Sequence, residues 1–189
     1  VKTHCYLGEY LGVPQITMDY TSGAFYIIRN PLDVCISMAP HFGISIDEAI
    51  DWMADSSFDG GGGDDEVPYH VSSWSTHVES WTASGASDFL HVMRYEDMLY
   101  KTLPTFKGAA RFLGLKPPTE RIKRAIKFSS FRQLRAQEDE KGFVETSVHA
   151  ERFFRTGKAG QWKETLSKTQ IDKVVEDHHS MMEKFKYLP

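Results

Sequence analysis

Two cysteines, Cys5 and Cys35, are all the thiol chemistry the 189 residues contain. That is too few for a disulfide framework. Both sit among apolar neighbours and read as buried thiols of a reducing compartment, with the cytoplasm as the default. No apolar run approaches the roughly 20 residues that span a bilayer, and no charged-then-apolar leader is visible, so no membrane segment is expected. Basic residues are nearly missing from residues 1–93, which hold only Lys2 and Arg29 against thirteen acids, a net of −11. Residues 94–189 hold the other twenty against thirteen acids, a net of +7. A basic half fits an anionic partner, a nucleic acid or a phosphate-bearing cofactor, as well as it fits a solvated helix surface. What is plentiful is apolar: 41% hydrophobic and 13% aromatic content suits one globular domain over residues 1–189 and excludes disordered and fibrous classes.

Residues 1–7 read as the end of a strand. Residues 24–29 carry Phe25, Tyr26, Ile27 and Ile28 without a polar break into Arg29, which predicts a strand buried on both faces of its sheet. Pro31 suits the first turn of a helix, expected to run to about Met38 and stop before Pro40 and Gly43. Ser45 caps a second helix to about Ala54, with Asp47 and Glu48 in its first turn. The run FDGGGGDDEVP, residues 58–68, predicts a flexible loop or lid. No Lys-Ser/Thr follows its glycines, and its acids would repel phosphate. Ser73 caps a helix to about Thr82 that buries Trp74, Val78 and Trp81. A second strand is expected over 89–98, then a helix ending at Gly114. Residues 119–136 predict one basic amphipathic helix, residues 137–162 a mixed segment, and 167–186 a last helix presenting Ile171, Val174, Val175, His178, Met181, Met182 and Phe185. Strands alternating with helices imply an α/β fold with a mainly parallel sheet.

Four stretches can carry chemistry. In such sheets ligands sit beyond the carboxyl ends of the strands. Arg29 would project there, and Ser37, two turns into the next helix, could point to the same side. A guanidinium fork and a hydroxyl suit phosphate oxygens. An ion pair of Arg29 with Asp33 is the structural alternative. In VKTH, strand alternation puts Lys2 and His4 on one face. The imidazole could take a proton from a hydroxyl, and the lysine could steady developing negative charge; a plain strand end is the alternative. In FRTGKAGQWK, Arg155 and Lys158 flank Gly157, so backbone N–H groups can approach an anion closely. In KFSSFRQL, residues 127–134, two hydroxyls and Phe131 could bond to and stack on a purine, or Phe131 could belong to the core. His178 and His179 point about 100° apart on a helix. That suits an exposed face better than a metal site, and no convincing metal-ligand set is found.

In their order along the chain these stretches resemble the cytosolic sulfotransferase family. RNPLDVCIS is similar to the family's R-N-x-x-D-V-x-x-S signature, which implies Arg29 and Ser37 at the 3′-phosphate of the cofactor 3′-phosphoadenosine 5′-phosphosulfate (PAPS). KTH resembles the element of the catalytic base, implying His4 as base and Lys2 as its electrostatic partner. VPYHVSSWSTHVESW resembles the family's V-P-Y-G-S-W-x-x-H-V stretch. RYEDM implies Tyr95 at the adenine, and SSF implies Ser129 and Phe131 there with Leu134 close by. FFRTGKAGQWK resembles the R-K-G-x-x-G-x-W-K loop, which implies Arg155, Thr156 and Gly157 at the 3′-phosphate.

The resemblance implies a P-loop-NTPase-like α/β fold with a mainly parallel central sheet flanked by helices. It also implies transfer of a sulfuryl group from PAPS to a hydroxyl or amine, leaving adenosine 3′,5′-bisphosphate (PAP). The acceptor would be a small phenol, alcohol or sterol, with no metal, nucleic acid or membrane as partner. The family's P-K-S/T-G-T-x-W loop for the 5′-phosphosulfate lies upstream of KTH in its pattern. The chain therefore reads as the C-terminal two-thirds of an enzyme, with the N-terminal part of the fold missing. The usual lysine of the phosphate loop is Thr156 here. The dimerisation pattern K-x-x-x-T-V-x-x-x-E is matched only in part, by Lys163, Ser167, Lys168 and Asp172, which leaves a homodimer open. Two other readings stand beside the enzyme: a PAP-binding remnant or interaction module, and a P-loop nucleotide kinase.

Overall fold

Two short antiparallel hairpins and one parallel pair make up the strands among the described residues, 1–61, 67–83 and 89–189, of this computed structural model. β1 (Glu9–Tyr10) pairs with β2 (Val13–Pro14). β3 (Ala24–Ile28) feeds α1 (Pro31–Phe42) and α2 (Ile46–Ala54). β4 (Asp59–Gly60) pairs with β5 (Tyr69–His70), so the expected loop over 58–68 is a hairpin at its base; residues 62–66 lie outside the described ones. α3 (Trp74–Thr82) leads to β6 (Leu90–Arg94), which runs parallel to β3. The rest is helical: α4 (Tyr95–Tyr100), α5 (Thr102–Phe112), α6 (Thr119–Phe128), α7 (Phe131–Lys141), α8 (Trp162–Thr165) and α9 (Lys168–Lys184).

Helix starts follow their caps. Ser45 and Glu48 exchange side chain-to-backbone bonds in a capping box, as do Ser167 and Gln170, and Ser73 accepts from the Thr76 N–H at 3.2 Å. Asn30 caps α1 by accepting from the Leu32 N–H at 3.0 Å, with Pro31 in the first turn. α1 does not stop before Pro40. The proline falls in the last turn, and the helix closes on Gly43, left-handed at φ 69°, with the Ile44 N–H reaching the Ala39 carbonyl at 2.9 Å. The second strand ends at Arg94 rather than running to residue 98. Glu96 and Asp97 instead occupy the first turn of α4, where the helix dipole favours carboxylates. The expected single helix over 119–136 is two, broken where Ser130 takes an extended conformation at ψ 150°. Serines offer the backbone competing hydrogen bonds, and this corner sets Phe131 at the start of α7.

Residues 1–7 form no ladder. They run extended beside α3, whose side chains hold their backbone: Ser80 accepts from the Leu7 N–H at 2.9 Å and the Trp81 indole donates to the Cys5 carbonyl at 3.1 Å. Cys5 is only half-buried, its sulfur taking the Thr3 hydroxyl, whereas Cys35 is fully buried and its thiol is pushed up to about 12 by desolvation. The sheet is not buried on both faces either. Ile28 is sealed, but Phe25 and Ile27 point to the other face and are 40% and 55% exposed. An apolar run cannot announce which of its faces will be covered.

The core lies on one side of the sheet, where α1, α2, α3 and α9 meet through Leu32, Cys35, Ile50, Val78, Val174 and Met182. His178 belongs to it. Far from the exposed face expected, it is 2% exposed, its Nδ1 3.0 Å from the Ser75 hydroxyl and its ring against the Trp74 edge. Burial pushes it down to about 4. Between pH 6.5 and 4 the unfolded chain therefore takes up a proton that the folded chain refuses. Stability falls as pH drops through that window, by roughly 3 kcal/mol in total. Urea midpoints measured from pH 7 to pH 4.5 should decline, and His178→Gln should flatten that decline.

Candidate functional site

β3 and β6 end side by side, Ile28 opposite Arg94, and the residue after Ile28 is Arg29. The two arginines part company there. Arg94 lies over the ring of Tyr187, 4.5 Å from its centroid, and the Tyr187 hydroxyl donates to Glu96 at 2.8 Å. Arg29 covers the ring of Tyr95 at 4.6 Å and donates from Nη2 to the Lys158 carbonyl at 3.3 Å. The Nε of each is buried with no hydrogen-bond partner, but only Arg29 lines a cavity. No ion pair joins Arg29 to Asp33. That carboxylate is 1% exposed and accepts instead from the backbone N–H groups of Gly160 at 2.6 Å and Trp162 at 3.1 Å. Arg29 is thus a guanidinium with an unsatisfied buried N–H and no carboxylate partner.

The cavity holds about 1440 Å³. Its walls bring together residues far apart in the chain: His4; Arg29 and Ser37; Tyr95; Ser129, Phe131 and Leu134; and Arg155, Thr156 and Gly157. Phe131 belongs to this wall rather than to the core. Its ring packs edge-on to Phe154, and a Cβ on Gly157 would come within 2.3 Å of it. At φ 60° that glycine is also in a backbone region that side chains resist. Thr156 donates its hydroxyl to the Gln161 side chain at 3.1 Å. Neither Lys2 nor Lys158 lines the cavity; Lys2 pairs with Glu145.

The charge of the walls is one-sided. Arg29, Lys116, Arg121, Arg152 and Arg155 line the cavity, and no Asp or Glu does among the described residues. Sequence reasoning missed Lys116, Arg121 and Arg152, whose only signal was the excess of bases in the second half. An apolar stretch from Met98, Phe106, Ile122 and Ile126 completes the walls. Such a concavity, with a few convergent polar groups on an apolar surface, has the make-up of a ligand site. Among the described residues no three His, Cys, Asp or Glu cluster as a metal site would require, and no helix is long and apolar enough to cross a membrane.

His4 is placed by α3. His77 bonds through Nε2 to the His4 carbonyl at 3.2 Å and through Nδ1 to the Tyr26 hydroxyl at 2.9 Å. A carbonyl can only accept, so Nε2 carries the proton and Nδ1 takes the tyrosine's. Burial lowers the pKa of His77, which fits this neutral tautomer. His4 itself lies below its ordinary 6.5, first through desolvation and then through the charge of Lys2, which outweighs an upward pull from Glu145; His41 adds a smaller downward one. It is therefore a neutral imidazole at pH 7, free to accept a proton. Residues of the partly matched dimer pattern have local roles: Ser167 caps α9 and Lys168 pairs with Asp172 at 2.6 Å.

Residues 2–186 match the family profile described as the sulfotransferase domain. Sulfotransferase 2A6 of Rattus norvegicus is 27% identical over 166 residues, 80% of this chain and 55% of that protein. Cytosolic sulfotransferase 12 of Arabidopsis thaliana is 27% identical over 185 residues, 89% of this chain and 53% of that protein. The chain thus spans about half the length of the curated relatives it matches. Among solved structures, mouse sulfotransferase SULT7A1 complexed with PAP aligns with a TM-score of 0.72 at 18% identity, over 98% of this chain and 69% of that one. Retinol dehydratase in complex with androsterone and inactive cofactor PAP aligns at 0.66 and 20% identity, over 85% and 47%. At these identities the likeness is one of fold, and the fold is the P-loop-like α/β architecture expected from the sequence.

Lys2 acts on His4 through space. Replacing it with alanine should therefore raise the His4 pKa toward 6.5, as read by an NMR titration of the imidazole. A downward move or none would remove Lys2 from the site altogether.

Proposed function

The chain belongs to the sulfotransferase family, whose domain profile covers residues 2–186, and from that premise we propose that the protein transfers a sulfuryl group from PAPS to a hydroxyl or amine of a small-molecule acceptor. The observation that carries the reading is the cavity wall with five Lys or Arg side chains and no carboxylate among the described residues. A nucleotide bearing two phosphate-type groups suits that wall. Arg29, with a buried Nε and no partner for it, is the first donor such an anion would meet. Ser37, Arg155, Thr156 and the Gly157 backbone surround the same space, where the 3′-phosphate is assigned. Tyr95, Ser129, Phe131 and Leu134 form the adenine side. Arg29 already lies across the ring of Tyr95, so the adenine contact and the phosphate contact are mechanically joined.

The chemistry that bound PAPS supplies is a sulfuryl group on a phosphate leaving group. The chain's part is positioning and proton transfer. His4, neutral at pH 7, takes the acceptor's proton at its free ring nitrogen, while α3 fixes its backbone through His77. Lys2 helps by keeping His4 neutral, not by touching the reacting atoms. The apolar wall through Phe106 and Ile122 suits a phenol, alcohol or sterol body. The reading places the protein in the cytosol, in keeping with the name of its Arabidopsis relative. It treats residues 1–189 as one domain.

Calorimetric titration of this chain with PAP in EDTA should give saturable binding. Arg29→Ala should weaken it about ten- to hundredfold, the cost of a lost charge-assisted hydrogen-bond pair. Magnesium-dependent ATP binding without preference for PAP would instead identify a nucleotide kinase. In the protein that turns over, His4→Gln should lower kcat by about 10²–10⁴ while PAP affinity holds. A matching loss of PAP affinity would make His4 a binding residue and not the base.

A further inference from the structure

Two buried carboxylates lie against the cavity without lining it, and both are spent on the backbone of one loop. Glu138, on α7, is 9% exposed. Its Oε1 accepts from the Phe153 N–H at 2.5 Å and the Thr146 hydroxyl at 3.1 Å, and its Oε2 from the Phe154 N–H at 2.9 Å. Asp33, on α1, takes the N–H groups of Gly160 and Trp162 at the loop's other end. Between these anchors the chain presents Arg155, Thr156 and Gly157 to the cavity.

We propose that Glu138 and Asp33 are positioning residues that clamp the two ends of the 153–162 loop and so shape it as a cradle for an anion. The identity of the anion, the 3′-phosphate of PAP, rests on the sulfotransferase reading above. The physical case is one of partner choice. A buried carboxylate beside arginines ordinarily pairs with one of them, which would cancel the charge the site needs. Here its oxygens are filled by backbone donors instead. The backbone of Arg155 is bonded on both sides, its N–H donating to the Phe153 carbonyl at 3.1 Å and its carbonyl accepting from Arg135 Nη1 at 3.0 Å. The guanidinium of Arg155 makes no ion pair among the described residues. Burial works against the charge of Glu138, but the Phe153 and Phe154 N–H groups, the Thr146 hydroxyl and the nearby charge of Arg152 outweigh it, holding the carboxyl below its ordinary range. The Glu138 end of the clamp is therefore charged at neutral pH. Arg29, donating to the Lys158 carbonyl, ties the middle of the loop to the strand end.

Glu138→Gln tests the clamp with little change of shape. An amide presents one oxygen where the carboxylate presents two, and its NH₂ would confront a backbone N–H. The readout is the ratio of affinities for PAP and for adenosine 5′-monophosphate, which lacks the 3′-phosphate, with thermal melting to confirm folding. The variant should lose at least tenfold of the unsubstituted chain's preference for PAP, with adenosine 5′-monophosphate affinity unchanged. Amide hydrogen exchange should quicken at residues 153–162. General loosening of the fold would weaken both ligands alike, and that result, or an unchanged ratio, overturns the clamp. Should Glu138→Gln not fold, Thr146→Val withdraws a single donor from Glu138 and should lower the ratio two- to threefold; no change in it overturns the clamp. If the unsubstituted chain shows no preference for PAP, the sulfotransferase reading falls, and this inference with it.

Discussion

The Asp33 carboxylate, buried in the first turn of α1, accepts two backbone N–H groups from a loop more than 120 residues further along the chain. Much of the structure hangs on that contact. It fixes the start of α1 against the 153–162 loop and removes the natural counter-ion of Arg29. The arginine is left stacked on Tyr95, with a buried N–H still to satisfy. Desolvating a carboxylate so completely is costly, and the two N–H donors are what makes it tolerable. Had Asp33 closed on Arg29 instead, the loop would lose its anchor and the cavity its foremost cation.

α1 divides the molecule. One face carries Leu32, Cys35 and Ala39 into the core with α2, α3 and α9. The other carries Val34, Ser37, Met38 and His41 into the cavity. A helix of 3.6 residues per turn does this naturally, since positions three and four apart share a face. The C-terminal end belongs to the same framework. Tyr187 is 3% exposed, bonds to Glu96 and stacks under Arg94, while Glu96 accepts the Asn30 N–H at 3.0 Å. Both strand ends are thereby braced from the core side, and only the cavity side is left open.

Legibility in the sequence followed the range of the interaction. Helices that begin at Ser45 and Ser73 were readable because a cap is a contact between residues three apart. The misreadings share a cause in contacts that lie far off in sequence or depend on what surrounds a segment. A strand was assigned to residues 1–7 from alternation, but α3 takes up their backbone groups. Pro40 reads as a stop, yet near the end of a helix its missing N–H removes only one bond. His178 was given an exposed face for its chemistry although the helix period had set it in line with Val174, Val175, Met181 and Met182, and it is on that buried face that Ser75 and Trp74 meet it. For the site, the motifs named residues that line one cavity, together with Lys2, which does not. They gave no sign of Lys116, Arg121, Arg152 or the carboxylate of Glu138.

By itself the sequence determined the order of elements, the arginine delivered at a strand end, the glycine that lets the 153–162 loop pass close to Phe131, and the excess of bases in the second half. These are local or compositional properties, set by caps, periodicity and side-chain chemistry. Which partner each charge would take was decided only by tertiary structure. Asp33 and Glu138 turn to backbone donors, Lys2 turns to Glu145 and away from the cavity, and Arg29 takes a carbonyl and a ring but no carboxylate. The reason is that burial makes hydrogen-bond satisfaction compulsory. The donors that satisfy these carboxylates come from segments that meet only once the chain has folded.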